Sequence, residues 1–349
     1  MTTQELCNDV IRSIHEGIPG DHGEVIRYLQ QQYISLQQHP CFLMVVGEFG
    51  KILTTRCQVD EFFWFCEEID TPEPLIRTVL NDCTDFIGLR DYKAAASLIR
   101  YILPFGEGPW PESGVGTEVR SFRDLVEYTY YMVICEPERE VIIEPYLKTD
   151  ILLQYGRILS GMGENELALP VLEDAKRQSP VHAGILGSLA DIQLKMNQPD
   201  QAGDIILRSF RCSWMKKDLA HAYRNQGSLF SLHEKYDAAI TCYLIAEAWD
   251  DSPDGGEALR SIIEYSGKEY DPGYYNEHGR EILIAYGIPV GPDPEVTSLL
   301  VKIADDYLEE QNLFKAREYL IRAHQLLMSD QLEERIWRIE RFIEDQVDF

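Results

Sequence analysis

Basic residues are scarce in this chain: 32 Lys and Arg stand against 59 Asp and Glu, a formal net charge of −27 over 349 residues. That excess disfavours long-range attraction to nucleic-acid phosphates or anionic lipid, so neither nucleic acid nor a membrane is expected as a partner. No uninterrupted apolar run approaches the ~20 residues of a membrane span. The stretch Met1 to Ile11 carries Glu5 and Asp9 where a secretory leader would be basic and then apolar. A cytoplasmic location is the simplest expectation. The eight cysteines, at 7, 41, 57, 66, 83, 135, 212 and 242, show no C-x-x-C spacing, and the scattered histidines include no i, i+4 pair. Free core thiols are expected, not a disulfide framework or a metal site.

Catalytic signatures are missing as well. The sequence has no G-x-x-x-x-G-K-[ST], H-E-x-x-H or G-x-S-x-G, and the glycines between 104 and 116 form no G-x-G-x-x-G. No cofactor is expected, and an enzyme with an unrecognised site is a subordinate reading.

What the chain does have is a recurring pattern of small residues at helical spacing. Leu152, Gly156 and Leu159 are followed by Ala168, Leu172 and Ala175, with Pro180 closing the unit. Leu186, Ala190, Ala202, Ile206 and Ser209 repeat it, then Tyr223, Gly227, Phe230, Ala239, Tyr243 and Ala246, and later Leu300, Ala304, Tyr307, Ala316, Leu320 and Ala323. Where two antiparallel helices cross closely, a glycine or alanine on each lets the backbones approach while larger neighbours fill the flanks. Gly156 and Ala190 are separated by about 34 positions, the period of the tetratricopeptide repeat, and these four units resemble that family.

Weaker units fit around them: Cys83, Phe86, Tyr92, Ala95 and Ile99; Gly267, Tyr270, Gly279 and Leu283; and a degenerate set of Leu43, Gly47, Phe63 and Cys66. The resemblance implies an all-α fold, a right-handed α-solenoid of antiparallel helix pairs with irregular N-terminal helices and a C-terminal capping helix. The expected divisions are an N-terminal helical region over 1–75, one repeat-like hairpin with irregular helices over 76–148, an array over 149–330 with an irregular unit at 257–293, and a capping helix and tail over 331–349. Helices are expected at Gln4 to Glu16, Glu24 to Gln38, Arg120 to Cys135 and Glu138 to Leu147, the Cys41 to Leu53 stretch is expected to be buried, and Pro104 to Gly116 is expected to be a loop. The Phe62 to Phe65 run is either a buried helix or an exposed docking patch, and burial is the simpler reading.

A tetratricopeptide array offers a curved inner surface lined by the first helix of each hairpin. Register places Asp150, Leu153, Arg157 and Ser160 there in one unit, Asp191, Leu194 and Lys195 in the next, His221, Arg224 and Ser228 in the third, and Glu264 and Lys268 in the irregular one. The expected function is a non-catalytic intracellular scaffold holding a protein or peptide, with acidic groups meeting Arg157, Lys195, Arg224 and Lys268 and with Leu153 and Leu194 supplying apolar contact. The clamp of chaperone-binding members needs lysine and asparagine where Leu153 and Arg157 stand, so that specialised role is not expected. A peptide-sensing regulator similar to bacterial proteins with such repeats is the alternative, although residues 1–75 show no helix-turn-helix.

Overall fold

The structure, a computed structural model, describes residues 2–107, 111, 114–250, 253–267 and 270–347. Among them are eighteen helices and one pair of short strands. In chain order these are α1 (Thr3–Gly17), α2 (His22–Leu36), α3 (Phe42–Arg56), α4 (Val59–Glu67), α5 (Glu73–Gly88), α6 (Tyr92–Glu107), β1 (Thr117–Ser121), α7 (Leu125–Ile134), β2 (Glu140–Glu144), α8 (Leu147–Gly161) and α9 (Asn165–Gln178). There follow α10 (Ala183–Lys195), α11 (Pro199–Cys212), α12 (Lys216–Leu232), α13 (Tyr236–Trp249), α14 (Pro253–Ser266), α15 (Pro272–Ala285), α16 (Pro294–Glu309), α17 (Leu313–Leu327) and α18 (Asp330–Val347). The chain divides into two compact units, Met1–Pro111 with Pro145–Ala175, and Glu112–Glu144 with Lys176–Phe349.

Local sequence sets the helix starts. Thr2 and Glu5 form a reciprocal capping box at α1, Asp21 caps α2, and Asp293 caps α16 just ahead of Pro294. The hairpin turns share one backbone solution. Between α5 and α6, α10 and α11, α12 and α13, and α16 and α17 the residues Arg90, Asn197, Glu234 and Gln311 adopt φ of 58°, 56°, 57° and 61°, and Gly163 does the same between α8 and α9 at 87°. In each case the next amide closes a six-residue ring onto the preceding helix. Asp91 N donates to Phe86 O, Glu164 N to Leu159 O, Gln198 N to Gln193 O, Lys235 N to Phe230 O and Asn312 N to Tyr307 O, all at 2.8–2.9 Å.

In the first unit, Tyr33 is fully buried and meets Phe42, Phe49 and Phe65 edge-on with centroids at 5.1, 5.3 and 5.9 Å, while its hydroxyl donates to Thr71 O at 3.0 Å. Tyr101 stacks edge-on with Phe62 and donates to the carbonyls of Thr54 and Cys57, satisfying the end of α3. A Cβ on Gly156 would lie 2.5 Å from Leu172 Cγ, and Ala168, Leu172 and Ala175 are wholly buried, so the expected small-residue crossing is present. In the second unit Gly227 plays that part against Tyr243, at 2.9 Å, and Ala190, Ala202, Ala239, Ala304, Ala316 and Ala323 all have no exposed surface.

Three local expectations are corrected. Residues 140–144 are not helical: β2 pairs in parallel with β1, from Thr117 opposite Glu140 to Ser121 opposite Glu144, and only Leu125–Ile134 of the expected tyrosine-rich helix forms. The run Glu140-Val-Ile-Ile-Glu is β-branched in its centre, which favours a strand over a helix. The α6 helix continues through Pro104 to Glu107, held where Gly106 approaches Ile151 so closely that a Cβ would sit 2.7 Å from it; residues 108–110, 112 and 113 of the expected loop lie outside the described residues. Finally, α3 is not buried all round: Leu43 and Met44 are 75% and 51% exposed, leaving one apolar face of the helix in water.

Candidate functional site

The first helices of two successive hairpins, α10 and α12, touch directly. Gly187 lets the His221 ring lie against α10, since a Cβ there would be 2.6 Å from Nδ1, and Asn225 Nδ2 donates to Gly187 O at 2.9 Å. This contact brings His221 Nε2 to 2.8 Å from Asp191 Oδ2. One turn further along α12, Arg224 Nη2 donates to Asp250 Oδ2 at 3.3 Å, and its Nη1 is buried with no hydrogen-bond partner. Ser228 Oγ donates to Arg224 O and lies 3.1 Å from the Tyr243 hydroxyl. Leu194 is half-buried and Lys195 exposed on α10. Asp191, Leu194, Lys195, His221, Arg224 and Ser228 therefore belong to two adjoining helices, but Arg224, one of the cations expected to meet a ligand, already pairs with Asp250, and His221 with Asp191.

In the other unit, Arg157 and Ser160 are half-buried on α8, and Asp150 accepts from Gln154 Nε2 at 3.1 Å. Leu153 is 2% exposed and serves packing, which corrects its expected role as an apolar ligand contact. Glu264 is exposed on α14, and Lys268 lies outside the described residues. Gly267, expected at a helix crossing, instead has φ of 62° in the turn after α14. The α14 and α15 helices each pack on α13, with Gly279 admitting Thr241 at 3.2 Å from where its Cβ would be.

The densest polar cluster escaped the sequence reading. Glu127, 1% exposed on α7, accepts from Arg123 N at 2.9 Å, Arg123 Nε at 3.1 Å and Trp214 Nε1 at 3.3 Å. Arg123 also donates to Asp218 Oδ2 at 2.8 Å and lies 4.6 Å over the Trp214 ring, whose other cation neighbour, Arg322, is at 5.1 Å. Arg322 and the Tyr319 hydroxyl both donate to Asp124, at 2.8 Å each. Burial pushes the Glu127 carboxyl up from its ordinary value, against the opposing pull of Arg123. Every member is satisfied within the protein, so the cluster pins α7 to α12 and α17 and offers no reacting group. Its one sequence signal was the spacing Asp124-x-x-Glu127 at a helix start.

Of the Phe62 to Phe65 run, Phe62 and Phe65 are fully buried, Phe63 stacks on Phe105 at 5.0 Å, and Trp64 is 47% exposed. Among the described residues, no group of three or more His, Cys, Asp or Glu side chains is placed to hold a metal ion, and no helix is long and apolar enough to cross a membrane.

The class these observations define is all-α, with five helix hairpins joined by one recurrent turn and helix crossings packed through small residues in the tetratricopeptide manner. No family model matches the sequence, and no curated protein does. Among solved structures, the chain is similar to a tetratricopeptide repeat protein from Parabacteroides merdae, with 10% identity over 95% of this chain and 98% of that one and a TM-score of 0.34. It is also similar to the Cut9–Hcn1 hetero-tetramer of the APC/C, with 11% identity, 91% and 66% coverage and a TM-score of 0.32, and to the P58(IPK) TPR domain, with 10% identity, 98% coverage of both chains and a TM-score of 0.25. These likenesses are too weak to carry weight; the class rests on the turns and crossings of the chain itself.

Proposed function

We propose that the protein is a non-catalytic scaffold that binds another protein through the exposed sides of α10 and α12. The observation that carries this reading is the direct α10–α12 contact at Gly187 and His221, which sets Leu194, Lys195 and Arg224 on adjoining, closely packed helices. A surface of that kind can hold an extended or helical segment without any movement of its own backbone. The His221–Asp191 and Arg224–Asp250 pairs beside it join no nucleophile to a base.

An acidic group on the partner remains the finer part of the proposal, and Arg224 favours it. It meets Asp250 only through Nη2 at 3.3 Å, longer than a close charge-assisted bond, so a partner carboxylate can compete for the guanidinium. Site-specific photo-crosslinking in cells tests the scaffold reading. A photoreactive residue at Leu194 should trap one recurrent protein, and the same residue at exposed Arg208 on α11 should not; equal or absent trapping at both positions would remove the reading.

A further inference from the structure

The second unit carries a cavity of about 340 Å³ away from the groove residues, between one face of α11, the C-terminal end of α12 and the turn after α15. Its floor and walls include Leu207, Leu229, Phe230, Tyr286 and Ile288. Three features of it point to one ligand chemistry. The first is charge: Asp200 and Asp204 stand one turn apart on α11, both exposed and lining the cavity, and neither forms an ion pair among the described residues. Like charges at i, i+4 oppose each other. Asp200 is favoured by the helix N-terminus that begins at Pro199, but Asp204 lies a turn further in, where that field has decayed.

The second feature is Gln226. It is 3% exposed, it lines the cavity, and its carboxamide makes no hydrogen bond among the described residues. An amide on a cavity wall with no protein partner is free to pair with a ligand that supplies one. The third is a cation already on the aromatic faces: Lys235 Nζ sits 4.9 Å from the Tyr286 centroid and 5.8 Å from that of Phe230. These rings are thus arranged to receive positive charge, and an exposed lysine fills the place weakly.

We propose that this cavity receives an arginine side chain from a basic segment of a partner protein. A guanidinium is flat enough to stack on Tyr286 in place of Lys235, and its fork offers several donors for the Gln226 carbonyl oxygen and the Asp200 and Asp204 carboxylates that line the same cavity, where an ammonium is a single point of charge. A side chain of a polypeptide suits the site better than free arginine, because the α-carboxylate of the amino acid would face the two aspartates. The net charge of −27 draws basic segments toward the molecule in the same sense. This inference rests on the scaffold reading for its partner, but the cavity does not include Leu194, so loss of the crosslink there and loss of arginine binding here are separate results.

The test uses the full chain with labelled methyl groups and carboxamides, titrated with the capped peptide acetyl-Ala-Arg-Ala-amide. Saturable shifts should be confined to Gln226 and to the methyls of Leu207, Leu229 and Ile288. Replacing arginine by citrulline in the peptide, or Asp200→Asn with Asp204→Asn in the protein, should weaken binding about tenfold or more. Lys235→Ala should strengthen it about two- to fivefold by removing the competing cation, an increase that no damage to the fold would produce. Equal binding of the citrulline peptide, weaker binding by Lys235→Ala, unsaturable shifts spread over the surface, or free arginine binding as tightly as the capped peptide would each overturn the proposal.

Discussion

A glycine in a helix normally costs about 1 kcal/mol relative to alanine, so the sign of a Gly→Ala substitution reports whether the space beside it is needed. At Gly156 the new Cβ would fall 2.5 Å from Leu172 Cγ, well inside any tolerable contact, whereas at Gly203 the nearest atom is 3.6 Å away. Gly156→Ala should therefore lose about 1–2 kcal/mol, overpacking outweighing the helix gain, and Gly203→Ala should gain about 0.5–1 kcal/mol. Denaturant melts of the two variants check this, and a gain at Gly156 would mean that the helix crossing is not tight. These slots were legible in the sequence because a crossing admits only small residues and so leaves a mark at fixed spacing. Side-chain partners leave no such mark: nothing in the order of residues showed that Asp191 would take His221 or that Leu153 would be sealed.

At the scale of elements, the recurrent turn makes a prediction of its own. Four of the five hairpin turns put a side chain at positive φ, where a Cβ crowds the following carbonyl and glycine is preferred. Gln311→Gly should raise stability by about 0.5–1 kcal/mol, and Gly163→Ala should lower it by about 1 kcal/mol, both read from thermal melts. The α7 insertion is the opposite case, an element whose anchors are distant in sequence. Its strands were misread because five residues give too short a window for periodicity to separate strand from helix. Removing the cation in Arg123→Ala would leave Glu127 and Asp218 buried without it, and should cost about 3–5 kcal/mol. Arg338→Ala, which breaks only the exposed pair with Glu334 on α18, should cost no more than about 0.5 kcal/mol.

The pH dependence of the same cluster has a definite sign. Because burial raises the folded pKa of Glu127 above its unfolded value, its favourable contribution is fully present below the unfolded pKa and is lost as pH rises through the folded one. The stability of wild type relative to Glu127→Gln should therefore decline as pH rises from about 4. A difference that grows with pH would show that Arg123 outweighs burial.

For the molecule as a whole, composition was informative about what the chain avoids, and repetition about how it is built. The net charge of −27 and the four regular units were visible at once. The cavity beside Gln226 was not, since it is made by α11, α12 and the turn after α15, which are brought together only by packing. The central claim is that the protein acts by holding another protein on α10 and α12. The most direct test is calorimetric titration of the partner trapped at Leu194 against wild type and a Lys195→Glu, Arg224→Gln variant. The account predicts that affinity falls about tenfold or more while the melting temperature moves only slightly; unchanged affinity in a folded variant would contradict it.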